Sequence, residues 1–253
     1  MGSGKTFTHI LITGASSGIG EALAAAYAVP GATLSLSGRN ATRLAAVAES
    51  CRARGAQVDA MVLDVTDRTA MAAWISSRER ARALDLVIAN AGISAGLDES
   101  GEATRRIFAV NLDGVVNTVM PALGIFRARR RGAIALISSL ASFRGIGSAP
   151  AYCGSKAAVR VWGEGLRGAL APEGIGVSVV CPGFVVSRMT DVNRFHMPFL
   201  MSAEKAAAII QRGIAANAGR IAFPWPMLAG TWLFAALPDA LAGAIARVLP
   251  KKN

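Results

Sequence analysis

Only two histidines, His9 and His196, and three cysteines, Cys51, Cys153 and Cys181, occur among the 253 residues. So few imidazoles argue against a histidine-built metal centre. Thiols this widely spread match neither a disulfide framework nor a zinc site. Charged side chains are also sparse, 17% against 53% apolar residues, which marks a globular chain and excludes a disordered one. No secretory pattern opens the sequence: the first apolar stretch, HILITGASSGIG, is short and runs straight into a glycine-rich turn. MGSGKT lacks the earlier glycine and the preceding strand of a phosphate-binding P-loop, so that reading is rejected. A reducing, cytosolic setting is the expectation.

Acidic residues are outnumbered 16 to 27 by basic ones, a net charge of +11. Part of the excess sits in RARRRG, as Arg127, Arg129, Arg130 and Arg131. One reading is a solvated helix end, where cations suit the C-terminal dipole. The other is a surface for an acidic partner or an anionic membrane. Nucleic acid is not expected as a partner, because no interleaved aromatics or known binding module accompany the arginines.

Short apolar runs alternate with longer helical patterns. The strand candidates are His9–Thr13, Thr33–Ser37, Gln57–Leu63, Leu84–Ala89, Ala133–Ser138 and Gly176–Cys181. Helical stretches fall between them near 18–29, 40–54, 68–81, 100–127 and 150–171. This alternation predicts βαβ units, hence an α/β chain with a parallel sheet covered on both faces. No linker, composition shift or repeat divides residues 1–253, which read as a single domain.

Directly after the first strand comes Thr13-Gly14-Ala15-Ser16-Ser17-Gly18-Ile19-Gly20, opening an Ala-rich helix. Glycines in a strand–turn–helix setting let backbone amides approach a pyrophosphate at the helix N-terminus. The spacing, G-x-x-x-G-x-G, differs from G-x-G-x-x-G, but the setting favours a dinucleotide over a plain turn. A further absence indicates which one. NAD sites usually hold the ribose with an acid some 20 residues on, yet no acid occurs between Glu21 and Glu49. The second strand ends instead in Ser37-Gly38-Arg39-Asn40, with Arg43 following. An arginine there can meet the 2′-phosphate of NADP through charge-assisted hydrogen bonds, so NADP(H) is the expected cofactor.

Tyr152 and Lys156, spaced Tyr-x-x-x-Lys, fall on one helix face one turn apart. An ammonium beside a phenol favours the phenolate and is expected to lower its pKa, preparing it for proton exchange with a carbonyl/alcohol pair.

With these pieces in place the chain resembles the short-chain dehydrogenase/reductase family over roughly residues 8–220. TGASSGIG is similar to the family's cofactor turn, and Asp64, followed by Val65, to the acid beside the adenine. Asn90-Ala91-Gly92 matches its Asn-Ala-Gly after the fourth strand, and Asn111 its proton-relay asparagine. Ser139 falls 13 positions before Tyr152, the family's spacing for its serine, which favours it over Ser138. Pro182-Gly183 and Val185 resemble the nicotinamide-contacting segment. Ser187 stands where many members have Thr, and keeps the hydroxyl.

The resemblance implies a single-domain Rossmann fold, a doubly wound parallel sheet of about seven strands with helices on both faces. It implies an NADP-dependent oxidoreductase acting on CH–OH/C=O groups. Tyr152 would be the acid or base, Lys156 its partner and a ribose ligand, Ser139 a donor to the substrate oxygen, and Asn111 the holder of a relay water. It implies a homodimer or homotetramer through the two long helices. Two alternatives stay open: a redox-silent NADPH-binding regulator, and a reductase of carrier-bound 3-oxoacyl groups docking through the arginines.

Residues 184–204 follow the sixth strand as a lid over the crevice. Phe195, Met197, Phe199, Leu200 and Met201 are expected to give it an apolar inner surface for an apolar or lipid-like small-molecule substrate. Residues 221–253 form an apolar extension, uncharged from Ile221 to Pro238. Pro224 and Pro226 leave Met227–Leu237 as a helix too short to span a bilayer, before a second apolar helix and Lys251-Lys252. Such a tail suits peripheral contact at the inner face of a membrane, a subunit interface or a substrate-channel wall.

Overall fold

The computed structural model describes residues 5–94, 100–191 and 196–248. In chain order it forms β1 (His9–Thr13), α1 (Gly18–Tyr27), β2 (Thr33–Gly38), α2 (Ala41–Ala53), β3 (Gln57–Val62), α3 (Arg68–Ala81) and β4 (Leu86–Ala89). Then come α4 (Gly101–Phe108), α5 (Gly114–Arg129), β5 (Gly132–Ile137), α6 (Pro150–Leu170) and β6 (Ile175–Pro182). The remainder comprises α7 (Arg188–Asp191), α8 (Ala203–Ala215), β7 (Arg220–Phe223), α9 (Trp225–Ala236) and α10 (Asp239–Val248).

All seven strands pair in parallel in the order β3-β2-β1-β4-β5-β6-β7. The order reverses between β1 and β4, leaving a crevice beyond their carboxyl ends where such sheets place ligands. β1, β4, β5 and β6 are buried throughout, as a sheet covered on both faces requires. Alternation divides the core. Ile10 and Ile12 pack with α1, α2 and α8 through Leu23, Leu44 and Ile210, whereas Leu11 faces α3, α5 and α6 through Trp74, Phe126 and Val159. The seven-stranded, doubly wound sheet is the one expected.

Three elements, the single-turn α7, α8 and β7, were missing from the sequence-based assignment. α8 has a legible signal: Ser202 caps it by accepting from the Lys205 amide, and Ala206, Ala207, Ile210 and Ile214 repeat at helical spacing on its buried face. β7 is four residues long and too short for periodicity to show. The helix expected over 100–127 runs to Arg129, with a π-helical turn at Ala109–Asp113 joining α4 to α5. Among the described residues only this stretch, Gly101–Arg129, is long and apolar enough to cross a membrane, and half of its apolar window is buried.

β4 begins at Leu86, two residues later than predicted. Asp85 turns its carboxylate onto the Thr8 amide, the Thr8 hydroxyl and the His9 amide (2.9, 2.7 and 3.1 Å). His9 itself is buried, its Nδ1 at 2.8 Å from the Arg82 carbonyl and its Nε2 at 2.9 Å from the Ser35 hydroxyl. Burial holds its pKa below the ordinary 6.5, opposed first by the hydrogen bond to the Arg82 carbonyl and more weakly by Asp85, while the Arg82 charge adds to the lowering. The unfolded chain therefore binds the extra proton more readily. His9's contribution to stability is complete above about pH 6.5 and is lost as pH falls through that value toward the folded pKa. The melting midpoint should drop between pH 7 and 5.5, and drop less in His9→Gln. An equal drop in both would remove His9 as the cause.

Candidate active site

A cleft of about 1230 Å³ opens at the carboxyl ends of β1, β4, β5 and β6. Its floor starts in the turn after β1. Gly14 has φ +66°, a left-handed conformation, and a Cβ there would approach the Ala91 Cα to 2.7 Å. A Cβ on Gly20 would collide with the Gly14 carbonyl oxygen, so the helix starts close against its own turn. Asn90 fastens that turn to β4: its Nδ2 donates to the carbonyls of Thr13 and Gly14 (2.9 and 3.1 Å). The Thr13 hydroxyl in return accepts from the amides of Asn90 and Ala91 (3.1 and 3.2 Å).

Gly14, Ser16, Ser17, Gly18 and Ile19 line the cleft beside Asn90, Ala91 and Gly92, while Gly20 is buried behind them. One end is closed by Arg39, Arg43, Asp64 and Val65. The Arg39 guanidinium lies 3.8 Å from the Asp64 carboxylate, both about half exposed. Arg43 is fixed by the Asn40 cap, which accepts from its amide at 2.9 Å. Its Nε is buried without a hydrogen-bond partner among the described residues. Two guanidiniums, one of them with an unused buried donor, fit a phosphate at this end. The glycine cradle and the size of the cleft fit a dinucleotide that reaches it.

Ser139, Tyr152 and Lys156 line the far end. Ser139 follows β5 and caps a single 3₁₀ turn, its hydroxyl accepting from the Ala141 amide at 3.1 Å. Ser138 borders the cleft too but is buried and donates to the Lys156 carbonyl at 2.7 Å, which anchors α6 to β5 and leaves Ser139 with the more accessible hydroxyl of the two. Lys156 Nζ donates to the Ile137 carbonyl at 2.8 Å and stands 5.9 Å from the centre of the Tyr152 ring. The two side chains share one space, as their spacing requires.

The electrostatics differ from expectation. Burial pushes the Tyr152 phenol above its ordinary pKa, opposed by its hydrogen bond to Ser139. Burial also pulls Lys156 down, to about 8. With the ammonium turned to the Ile137 carbonyl, desolvation outweighs the cationic help expected from it.

Asn111 does not line the cleft. The π-helical turn carries it inward, where its Oδ1 accepts from the Ile93 amide (2.7 Å). Its Nδ2 donates to the Ile93 carbonyl (2.9 Å) and the Ser155 hydroxyl (3.1 Å). The inserted residue widens the helix there, a common device at functional sites. Gly92 sits between it and the amine: a Cβ there would lie 3.2 Å from Lys156 Nζ and 3.3 Å from Asn111 Oδ1.

Pro182, Gly183, Val185 and Ser187 line the wall after β6. Thr190, absent from the sequence-based set, braces it by accepting from the Ser187 amide (2.9 Å) and donating to the Val185 carbonyl (3.0 Å). The lid is corrected in detail. Phe199 and Leu200 are exposed and Met201 packs on the core, while Phe195 lies outside the described residues. The apolar wall comes from Phe184, Met189, Met227 and Phe234 instead. Arg144, also missed, ties α9 over the cleft. It donates to the carbonyls of Phe234, Ala235 and Leu237 (3.3, 3.3 and 3.0 Å), and its guanidinium lies 5.4 Å from the Phe234 ring centre. No local pattern marks an arginine whose partners lie some 90 residues away.

The arginine patch is engaged internally. Arg127 pairs with Glu173, Arg129 with Glu79, Arg131 with Asp85 at 3.6 Å, and Arg130 donates to the Pro172 carbonyl.

The short chain dehydrogenase family model matches residues 8–197. An uncharacterised oxidoreductase of Myxococcus xanthus is 37% identical over 248 residues, covering 96% of this chain and 98% of its own. A short-chain dehydrogenase/reductase from Burkholderia phymatum, solved in complex with NAD, superposes with a TM-score of 0.84 at 25% identity, covering 96% and 97% of the two chains. One from Sphingobium yanoikuyae, in complex with NADPH, gives 0.79 at 29% identity over 95% and 94%. The chain belongs to the short-chain dehydrogenase family, oxidoreductases that use a nicotinamide cofactor on the CH–OH/C=O pair.

Proposed function

We propose that the protein is an NADP(H)-dependent reductase that converts the ketone of an apolar substrate to a secondary alcohol. One observation carries this reading: Tyr152, Ser139 and Lys156 share a cleft whose opposite end presents Arg39 and Arg43 and no acid from β2. The known structures hold either dinucleotide, so the choice rests on those arginines. The bound cofactor would supply the hydride.

Everything else falls to the chain. Gly14 to Gly20 would hold the pyrophosphate on the amides at the α1 N-terminus. Ser139 would donate to the carbonyl oxygen, stabilising charge that builds on it. The Tyr152 hydroxyl would give that oxygen its proton, and burial, by raising the phenol's pKa, keeps it protonated for this role. Lys156 would hold the ribose, and Asn111 would position the backbone and α6 around the amine. Phe184, Met189, Met227 and Phe234 make the substrate end apolar.

NADPH oxidation against a panel of sterol, long-chain acyl and small polar carbonyls, with detergent present, tests this. Turnover of the apolar members is expected, with NADPH preferred over NADH. NADPH binding without turnover of any member would favour the redox-silent reading, and preference for polar members would overturn the substrate class.

A further inference from the structure

α9 is apolar around its circumference, yet only one side meets the protein. At about 100° per residue, Met227, Thr231 and Phe234 share one side, and all three line the cleft. Trp225, Ala229, Trp232, Leu233 and Ala236 fall about half a turn away, and all are exposed. Trp225 is 76%, Trp232 65% and Leu233 66% accessible, and α10 adds Leu241 at 56%. Surface helices ordinarily place polar side chains on such a face, and contiguous apolar exposure of this kind marks an interaction site.

We propose that this outward face of α9, continued by α10, docks on an anionic phospholipid surface. Its chemistry selects that occupant. No side chain from Ile221 to Pro238 is charged, and the only hydroxyl there, Thr231, donates to the Leu228 carbonyl at 3.0 Å. The face thus has almost no hydrogen bonds to give a protein partner, whereas protein interfaces carry about one per 100–200 Å². A headgroup–hydrocarbon boundary demands none, and indoles, apolar rings with a single N–H, suit that depth.

The charge that follows α9 in the sequence is mainly basic. Asp239 is the only acid from residue 221 onward, and Arg144 pairs with it at 2.7 Å. Arg247, Lys251 and Lys252 follow it, in a chain of net charge +11. Basic residues flanking an apolar helix are what anionic lipid attracts. The 12 residues of α9 reach about 18 Å against a hydrocarbon core of ~30 Å, so the helix lies in the interface without spanning it.

One consequence rests on the proposed function. Because the opposite side of α9 walls the cleft, docking would put the substrate end at the lipid boundary, where an apolar carbonyl compound is concentrated.

Sedimentation of the full chain with phosphatidylcholine vesicles, with and without phosphatidylglycerol, tests the docking. The wild type should sediment with the anionic vesicles and be partly released by salt. Trp232→Gln/Leu233→Gln should bind them at least about tenfold more weakly, with unchanged NADPH affinity and an unchanged molar mass by sedimentation velocity. Absence of wild-type association, or equal association by the variant, overturns the proposal. A variant of smaller molar mass, with no lipid binding by either protein, assigns the face to a second copy and overturns it too. Vesicle sedimentation needs no turnover, so the docking and the proposed function can fail separately.

Discussion

Tyr152→Phe should lower kcat by about 10³- to 10⁴-fold while NADPH binds with unchanged affinity. The substitution removes one hydroxyl and leaves the ring, its packing on α6 and its place beside the Lys156 amine. General acid catalysis by a positioned side chain is worth about 10²–10⁴, and loss of the only phenol in the cleft should fall at the upper end. The phenol also hydrogen-bonds Ser139, so its removal weakens the second group aimed at the substrate oxygen. Stopped-flow single turnover separates the chemical step from binding. Retained turnover would take Tyr152 out of the mechanism, and a parallel loss of NADPH affinity would make it a binding residue. The wild-type pH profile carries the complementary information. Lys156, drawn down to about 8, is a cation below that value and neutral above it. If its charge holds the ribose and the phenol in place, kcat/KM for reduction falls as pH rises through about 8.

The phenol and amine show where sequence spacing succeeds and where it stops. Four residues on a helix were enough to place Tyr152 and Lys156 in one space, because the side-chain direction follows from backbone geometry. The sign of the phenol's pKa was not legible. It depends on how completely the surrounding strands exclude water, and on the Ile137 carbonyl that captures the ammonium, both tertiary facts. Asn111 follows the same division: its residue type was readable, but the π-helical turn that buries it against Ile93 and Ser155 was not. The cleft's apolar wall was assigned to Phe195, Met197, Phe199, Leu200 and Met201 from composition. It comes instead from Phe184 and Met189 of the same segment together with Met227 and Phe234 of α9, which Arg144 holds across the cleft through contacts that no local window contains. The glycine turn, by contrast, could be read nearly complete, since Gly14 and Gly20 answer to backbone conformation and close approach within the same few residues.

Arg39→Asp should weaken NADPH binding by about 10²- to 10³-fold and leave NADH within about threefold. The two cofactors differ only in the 2′-phosphate, so the ratio of their losses isolates the groups that meet it. A hydrogen bond to a charged group is worth about 1.5–3 kcal/mol, and each 1.4 kcal/mol is a factor of ten. Loss of one such contact thus accounts for about one to two decades. The introduced carboxylate adds repulsion toward the phosphate, and it would also stand near Asp64, where Arg39 now lies 3.8 Å from the carboxylate. Arg43 remains, with its amide fixed by the Asn40 cap, and limits the loss. The change should not act through the fold. Arg39 and Asp64 are about half exposed, and exposed pairs contribute ~0–1 kcal/mol, so the melting midpoint should barely move. Gly38 is packed so tightly that a Cβ there would come within 3.0 Å of the Ser16 hydroxyl, which fixes the strand end that carries residue 39. Isothermal titration with both cofactors measures the ratio directly. Equal losses for NADPH and NADH would mean that Arg39 meets the adenosine or only its own Asp64, and the NADP(H) assignment would then lose its main support.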